Sequence, residues 1–321
     1  MKGIINGSFI EFTHANAFEG KYFNPQVRAF SEDQWRAKIR EMHDIGMEYL
    51  VLMATSLPDP EFQEAYFETD IYPFAKNFNC QDPIFVLLDE ASKLNMKVFL
   101  SAGLYGDWRR AYENISSEEV TKRAFKAIEQ LTERYGSIDS FYGWYLPDEL
   151  CIEGTFNDLM VKYINRYSKF CRSLDKTKKM IIAPYGTKFV RADDKYIKTL
   201  ENLDLDFIAY QDEVGVRKST TDETKKYFES LKYVHDKAGR AKLWADLEIF
   251  EFEKDVYKSA LLPADINRIS KQLDSITPYC DKIICYQYLG MVNAPDTIAF
   301  CGHKDSVKLY NGYIDLCNKN K

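Results

Sequence analysis

Short apolar runs and amphipathic stretches alternate along the whole chain. Runs of a few apolar or alternating residues between turn formers read as strands, and apolar positions recurring every three to four residues read as helices. By this pattern strands are predicted over residues 3–12, 48–55, 97–106, 141–146, 179–186, 205–212, 241–250 and 281–289. Between and after them, helices are predicted over about 31–46, 83–96, 117–136, 156–174, 193–202, 222–238, 263–276 and 306–317. Local signals support these limits. Ser31 is placed to cap a helix, Pro83 and Pro263 stand at first helical positions, and Gly46, Gly136 and Gly239 stand where helices stop.

Eight strands alternating with eight helices imply parallel strands joined by crossover helices. Eight such units close on themselves, so the predicted fold class is α/β, a single (β/α)8 TIM barrel spanning residues 1–321. No Gly-x-Gly-x-x-Gly follows the first strand, and no linker rich in Pro, Gly or Ser divides the chain. The expected strand-to-helix connections (13–30, 56–81, 106–115, 251–262, 290–305) are long and the reverse ones short. Long loops on one face only mark the C-terminal face as the functional one.

Composition narrows the function classes. A net charge of −6 without a basic stripe argues against nucleic acid as partner. No apolar run approaches the length of a membrane span. Seven scattered cysteines without metal-knuckle spacing read as reduced thiols, and the absence of a signal peptide fits a cytoplasmic location, or a periplasmic or secreted one if a leader was trimmed. The 22 Tyr and 21 Phe can fill a core, and they can also wall a site for flat-faced ligands such as sugars.

The stretch Phe141-Tyr142-Gly143-Trp144-Tyr145-Leu146-Pro147-Asp148-Glu149-Leu150 begins as a buried strand, is closed by Pro147, and delivers two carboxylates just past the strand end. Leu243-Trp244-Ala245-Asp246-Leu247-Glu248 repeats the design in the seventh strand. Side chains alternate along a strand, so Trp244, Asp246 and Glu248 are expected inward, as are Gly143, Tyr145 and, beyond the proline, Glu149. Other strand ends contribute Glu11, Trp108, Tyr210, Gln211 and Tyr286, an inventory for binding a polyhydroxylated ligand. Two carboxyl groups across one pocket suit glycoside cleavage. One protonates the departing oxygen, and the other attacks the anomeric carbon or activates water.

The order of these acids is similar to that in glycoside hydrolase clan A. The segments Gly143–Glu149, Tyr210–Gly215 and Leu243–Glu251 resemble a glycosidase-like barrel family catalogued as domain of unknown function 4434. The resemblance implies a carbohydrate-active enzyme with Glu149 as general acid/base and Glu248 as nucleophile or general base. Glu11, Trp108, Asp148, Tyr210, Gln211 and Tyr286 would position the saccharide. One departure stands out: clan A usually has Asn before the acid/base Glu, and here that position is Asp148. Neither a cofactor nor a metal is expected. His14, His43, His235 and His303 have no metal-ligand spacing, and of the four only His14 falls near a strand end. Two alternatives stay open: a non-catalytic carbohydrate-binding barrel, and a lyase or isomerase barrel with an acidic metal site. Carboxyl groups about 5–5.5 Å apart would give retention, and about 6.5–9.5 Å inversion.

Overall fold

The protein is described here by a computed structural model covering residues 5–59 and 63–319. Among these residues eight strands form the barrel: β1 (Gly7–Ile10), β2 (Tyr49–Leu52), β3 (Lys97–Ser101), β4 (Phe141–Tyr145), β5 (Lys179–Ile182), β6 (Phe207–Gln211), β7 (Lys242–Glu248) and β8 (Lys282–Tyr286). Each pairs in parallel with the next, and β8 pairs with β1 to close the ring. Crossover helices follow in the expected places: α1 (Glu32–Asp44), α2 (Pro83–Lys93), α3 (Glu118–Tyr135), α4 (Asp158–Leu174), α5 (Asp194–Asn202), α6 (Thr221–Ala238), α7 (Ile266–Ile276) and α8 (Ser306–Lys319). Residues 3 and 4 of the first expected strand, and 60–62 of the second long loop, lie outside the described residues.

Side-chain caps fix where most of these helices begin. Ser31 and Thr220 form reciprocal capping boxes with Gln34 and Glu223, while Asp82, Ser117, Asn157, Asp193 and Asp265 each accept a backbone N–H from the first turn. One expected start is corrected. Pro263 does not open α7 but ends a two-stranded antiparallel ribbon, Phe250–Phe252 against Leu261–Pro263, and α7 begins after Asp265. Proline tolerates both settings, because an edge strand and a first helical turn each leave one N–H unused.

The barrel is filled from within by Phe9, Tyr49, Val51, Phe99, Tyr145, Ile181, Trp244 and Ile284, all buried. Trp244 meets Phe207 at 4.5 Å, Tyr49 at 4.9 Å and Phe99 at 6.3 Å between ring centres. This aromatic plug seals the N-terminal end, so polar side chains can gather only at the C-terminal mouth. The alternate residues Trp144, Leu146, Leu243, Ala245 and Leu247 pack outward against the helices, as parity requires. The seam between first and last strands is clasped by Asn6. Its backbone N–H donates to the Ile283 carbonyl, its side-chain oxygen accepts from the Ile283 N–H, and its carbonyl accepts from Glu48 and Tyr49.

Candidate active site

The chain brings Glu149 and Glu248 to the same face of the barrel, from the ends of β4 and β7. Glu149 is partly open to solvent at the mouth. Its Oε1 accepts from the Tyr145 hydroxyl at 2.6 Å, and its Oε2 accepts from the Gln211 amide at 2.9 Å. Gln211 also donates to the Ala183 carbonyl at 2.7 Å, which fixes its side chain against β5. In the ladder Gln211 stands opposite Asp246, two residues before Glu248 on β7, and Glu248 stands opposite Tyr286 on β8. Tyr286 in turn donates to Glu11 from β1. A chain of polar side chains therefore runs around the mouth from β4 through β6, β7 and β8 to β1.

Glu248 is 4% exposed, and its Oε2 accepts the Val216 N–H at 2.8 Å. The loop approaches this closely because residue 215 is glycine: a Cβ there would lie 3.0 Å from both Glu248 Cβ and Oε2. Behind Glu248, Asp212 accepts from the Glu248 N–H and, at 2.6 Å, from the Gln272 amide. The Arg268 guanidinium donates to the carbonyls of Glu248 and Phe250.

Electrostatics follow from crowding acids into a dry place. Burial pushes Glu149 up to about 8, against its bonds from Tyr145 and Gln211 and helped by Asp148. Glu248 is likewise pushed up to about 8, by burial and then by Asp212, with the Val216 N–H opposing. Asp212 rises to about 6 through burial, against its bonds from Gln272 and the Glu248 and Val214 N–H groups. Asp246 is driven well above the ordinary range by burial and by the charges of Glu248, Asp212 and Glu149, and its Oδ1 has no hydrogen-bond partner. The site therefore resists carrying charge on all of these carboxyl groups at once.

On the β1 side, burial raises Glu11, partly offset by His14 and Tyr286. Burial lowers His14, but Glu11 and Glu19 outweigh it and the net shift is upward. The His14 ring is 3.4 Å from Glu19.

Two expected positioning residues are placed elsewhere. Tyr210 points outward, and its hydroxyl bonds Tyr196 at 2.8 Å and His235 at 3.0 Å among the helices. Adjacent strand residues face opposite sides, so an inward Gln211 excludes an inward Tyr210. Asp148 is 2% exposed and turned into the wall. It accepts from the Leu104 N–H and the Asn114 amide, each at 3.2 Å, and has Tyr163 at 3.5 Å. It thus braces the loop after β3 rather than facing the mouth. Trp108 belongs to the rim: its indole N–H donates to Asp59 at 3.4 Å, and the Arg109 guanidinium lies over its ring. Sequence reading offers Asp212 at the end of the sixth strand without giving it a role, and does not single out Arg268 or Gln272. Asp212 had a signal, being next to Gln211 at a strand end. The two α7 residues had none, because their role depends on how the helix packs.

Among the described residues no group of three His, Cys, Asp or Glu side chains is arranged to hold a metal ion, and no helix is long and apolar enough to cross a membrane. All seven cysteines are free thiols.

Comparison with known proteins agrees with this architecture. The family described as Domain of unknown function (DUF4434) matches residues 5–299. No curated protein matches the sequence. Among solved structures, a Bacteroides thetaiotaomicron protein provisionally assigned as an alpha-L-fucosidase superposes with a TM-score of 0.75 at 18% identity, over 97% of this chain and 92% of that one. An endo-1,4-beta-mannanase from Rhizomucor miehei gives 0.59 at 11% identity, over 98% and 95%. An endo-beta-1,4-mannanase from Thermotoga petrophila gives 0.60 at 12%, over 100% and 78%. At these identities the likeness is one of fold.

Proposed function

The chain belongs to the DUF4434 family, and from that premise we propose that it is a glycoside hydrolase working with two carboxyl groups. Glu149 serves as general acid/base and Glu248 as nucleophile or general base. The observation that carries this reading is the convergence of the two acids, from the ends of β4 and β7, on one mouth through the Gln211–Asp246 rung.

Glu149, whose carboxyl is pushed up to about 8, gives its proton to the glycosidic oxygen as the bond to the anomeric carbon breaks. Glu248, steadied by the Val216 N–H, attacks that carbon or takes a proton from the attacking water. The Glu11–Tyr286 pair offers hydrogen bonds to the sugar from the opposite side. Trp108 contributes to the rim and not to the acid pair.

The test is a panel of chromogenic glycosides with wild type, Glu149→Gln and Glu248→Gln. Glu248→Gln should lose turnover by several orders of magnitude. Glu149→Gln should lose about 10²–10⁴-fold on poor leaving groups and far less on activated aryl glycosides. Unchanged turnover in either variant removes that residue from the mechanism. The anomer first released, read by NMR, distinguishes retention from inversion.

A further inference from the structure

The two halves of the mouth differ in chemistry. On the β8–β1 side stand Glu11, Tyr286, His14 and Glu19. Above β5 to β7 stands a trio built from three different loops, with Tyr185 half-buried and the other two exposed. Tyr185 follows β5, Lys218 lies in the loop after β6, and Tyr257 lies in the ribbon after β7. The Lys218 ammonium is 5.3 Å from the centre of the Tyr185 ring and 5.7 Å from that of Tyr257. It is also 3.9 Å from Glu213. Tyr257 is 46% exposed, and Lys218 also reaches solvent.

The backbone segments that carry these rings are tied to one another. The Ile152 N–H, three residues past Glu149, donates to the Tyr185 carbonyl at 3.0 Å. Gly186 has φ +86°, and a Cβ there would meet Cys151 Sγ at 2.7 Å and Ile152 at 2.9 Å, so the loops after β4 and β5 interlock. Glu213 accepts the N–H groups of Gly186 and Thr187, each at 3.0 Å, and its carbonyl accepts those of Lys218 and Ser219. Arg217 donates to the carbonyls of Phe252 and Lys254, and Asn16 to that of Tyr257. Loops from five strands thus hold one platform in place before any ligand arrives, and such preorganisation lowers the entropic cost of binding.

We propose that Tyr185, Lys218 and Tyr257 form the subsite for the sugar on the leaving-group side of the scissile bond, and that this sugar is uncharged. This rests on the glycosidase reading of the mouth. If Glu149 is the proton donor, the departing sugar lies on its side, and of the trio Tyr185 is tied to the segment that carries Glu149, through the Ile152 N–H three residues further on. Tyrosine faces stack on the C–H faces of a pyranose, and the ammonium donates to its hydroxyls. A carboxylate on that sugar gains little from the lone cation of the trio, because Glu213 already balances Lys218.

The test uses Glu149→Gln protein, so that ligands are not cut, titrated by calorimetry. The probes are mannobiose, cellobiose, xylobiose, laminaribiose and chitobiose, with the matching monosaccharides. At least one disaccharide should bind about tenfold or more tightly than its monosaccharide. Adding Tyr257→Ala or Lys218→Met should remove about 3–10-fold of that advantage and leave monosaccharide affinity unchanged. The same disaccharide oxidised to a uronate at its reducing-end residue should bind at least tenfold more weakly. The proposal is overturned if the rim substitutions weaken both ligands equally or neither, if the uronate binds as well, or if no disaccharide outbinds its monosaccharide. A rim-dependent disaccharide that wild-type protein never cleaves would remove the hydrolase reading and leave the subsite standing. Cleavage indifferent to both rim substitutions would do the reverse.

Discussion

Glu248 carries a consequence measurable without any substrate. Its carboxyl is pushed from an ordinary 4.5 up to about 8 in the folded protein, so the native state binds a proton that the unfolded chain releases. Stability then falls as pH rises from about 4.5 to about 8, because the unfolded state gains by ionising while the folded one cannot. At ~1.36 kcal/mol per pH unit the full displacement corresponds to about 4–5 kcal/mol above pH 8. Asp212 and Asp246 readjust their own protonation as Glu248 titrates, which reduces the net effect to ~2 kcal/mol or more. Glu248→Gln keeps the size of the side chain and removes the ionisation. Urea denaturation of both proteins at pH 5, 7 and 9 should show the variant gaining on wild type by ~2–4 kcal/mol across that range. Any fixed offset from the altered hydrogen bond to Val216 cancels in the comparison. A difference constant with pH would mean that Glu248 is not held in a dry, acid-crowded setting, and the electrostatic account of the site would fail.

Three further predictions concern rate, scaffold and metal. With both proposed catalytic carboxyls raised to about 8, the acid limb of kcat/KM, which would report ionisation of Glu248, should lie above pH 6, and an optimum at or below pH 5 would contradict the assignment. Asp148→Ala strips the acceptor from Leu104 and Asn114 and should cost about 1–3 kcal/mol in thermal unfolding; an unchanged melting temperature would return Asp148 to the list of sugar ligands. Dialysis against EDTA should leave hydrolysis intact, whereas loss of activity restored by magnesium would favour the acidic-metal lyase or isomerase alternative.

The barrel was legible because each change of hydrophobic period coincided with an independent signal. Ser31, Asp82, Asp193 and their counterparts supply an acceptor just where the helical period starts, so pattern and capping chemistry agree. Inward Asp246 and Glu248 were legible from parity, since β7 runs without a break across all seven of its residues. Legibility ended where parity did. Past Pro147 no ladder fixes the chain, and Asp148 was free to turn into the wall. Tyr210 shows a different failure: its residue type suits a sugar, but its position beside Gln211 sends it outward. Pro263 matched two settings equally well, and only the pairing of Phe250 with Pro263 separates them. The cross-loop web of Glu213, Arg217 and Asn16 left no trace in the sequence, because each bond joins segments that meet only after the barrel has closed.

The Asn6 clasp bears on how such a molecule comes into being. Its two bonds to Ile283 span 277 positions, so the first stave of the ring is synthesised long before its last neighbour exists. Until then β1 has one bare flank, and so does whichever strand has most recently emerged. Each is an open template for pairing with another chain. Weakening the clasp, by Asn6→Ala for example, would prolong that interval, and the first symptom should be aggregates on refolding rather than a change in the folded protein.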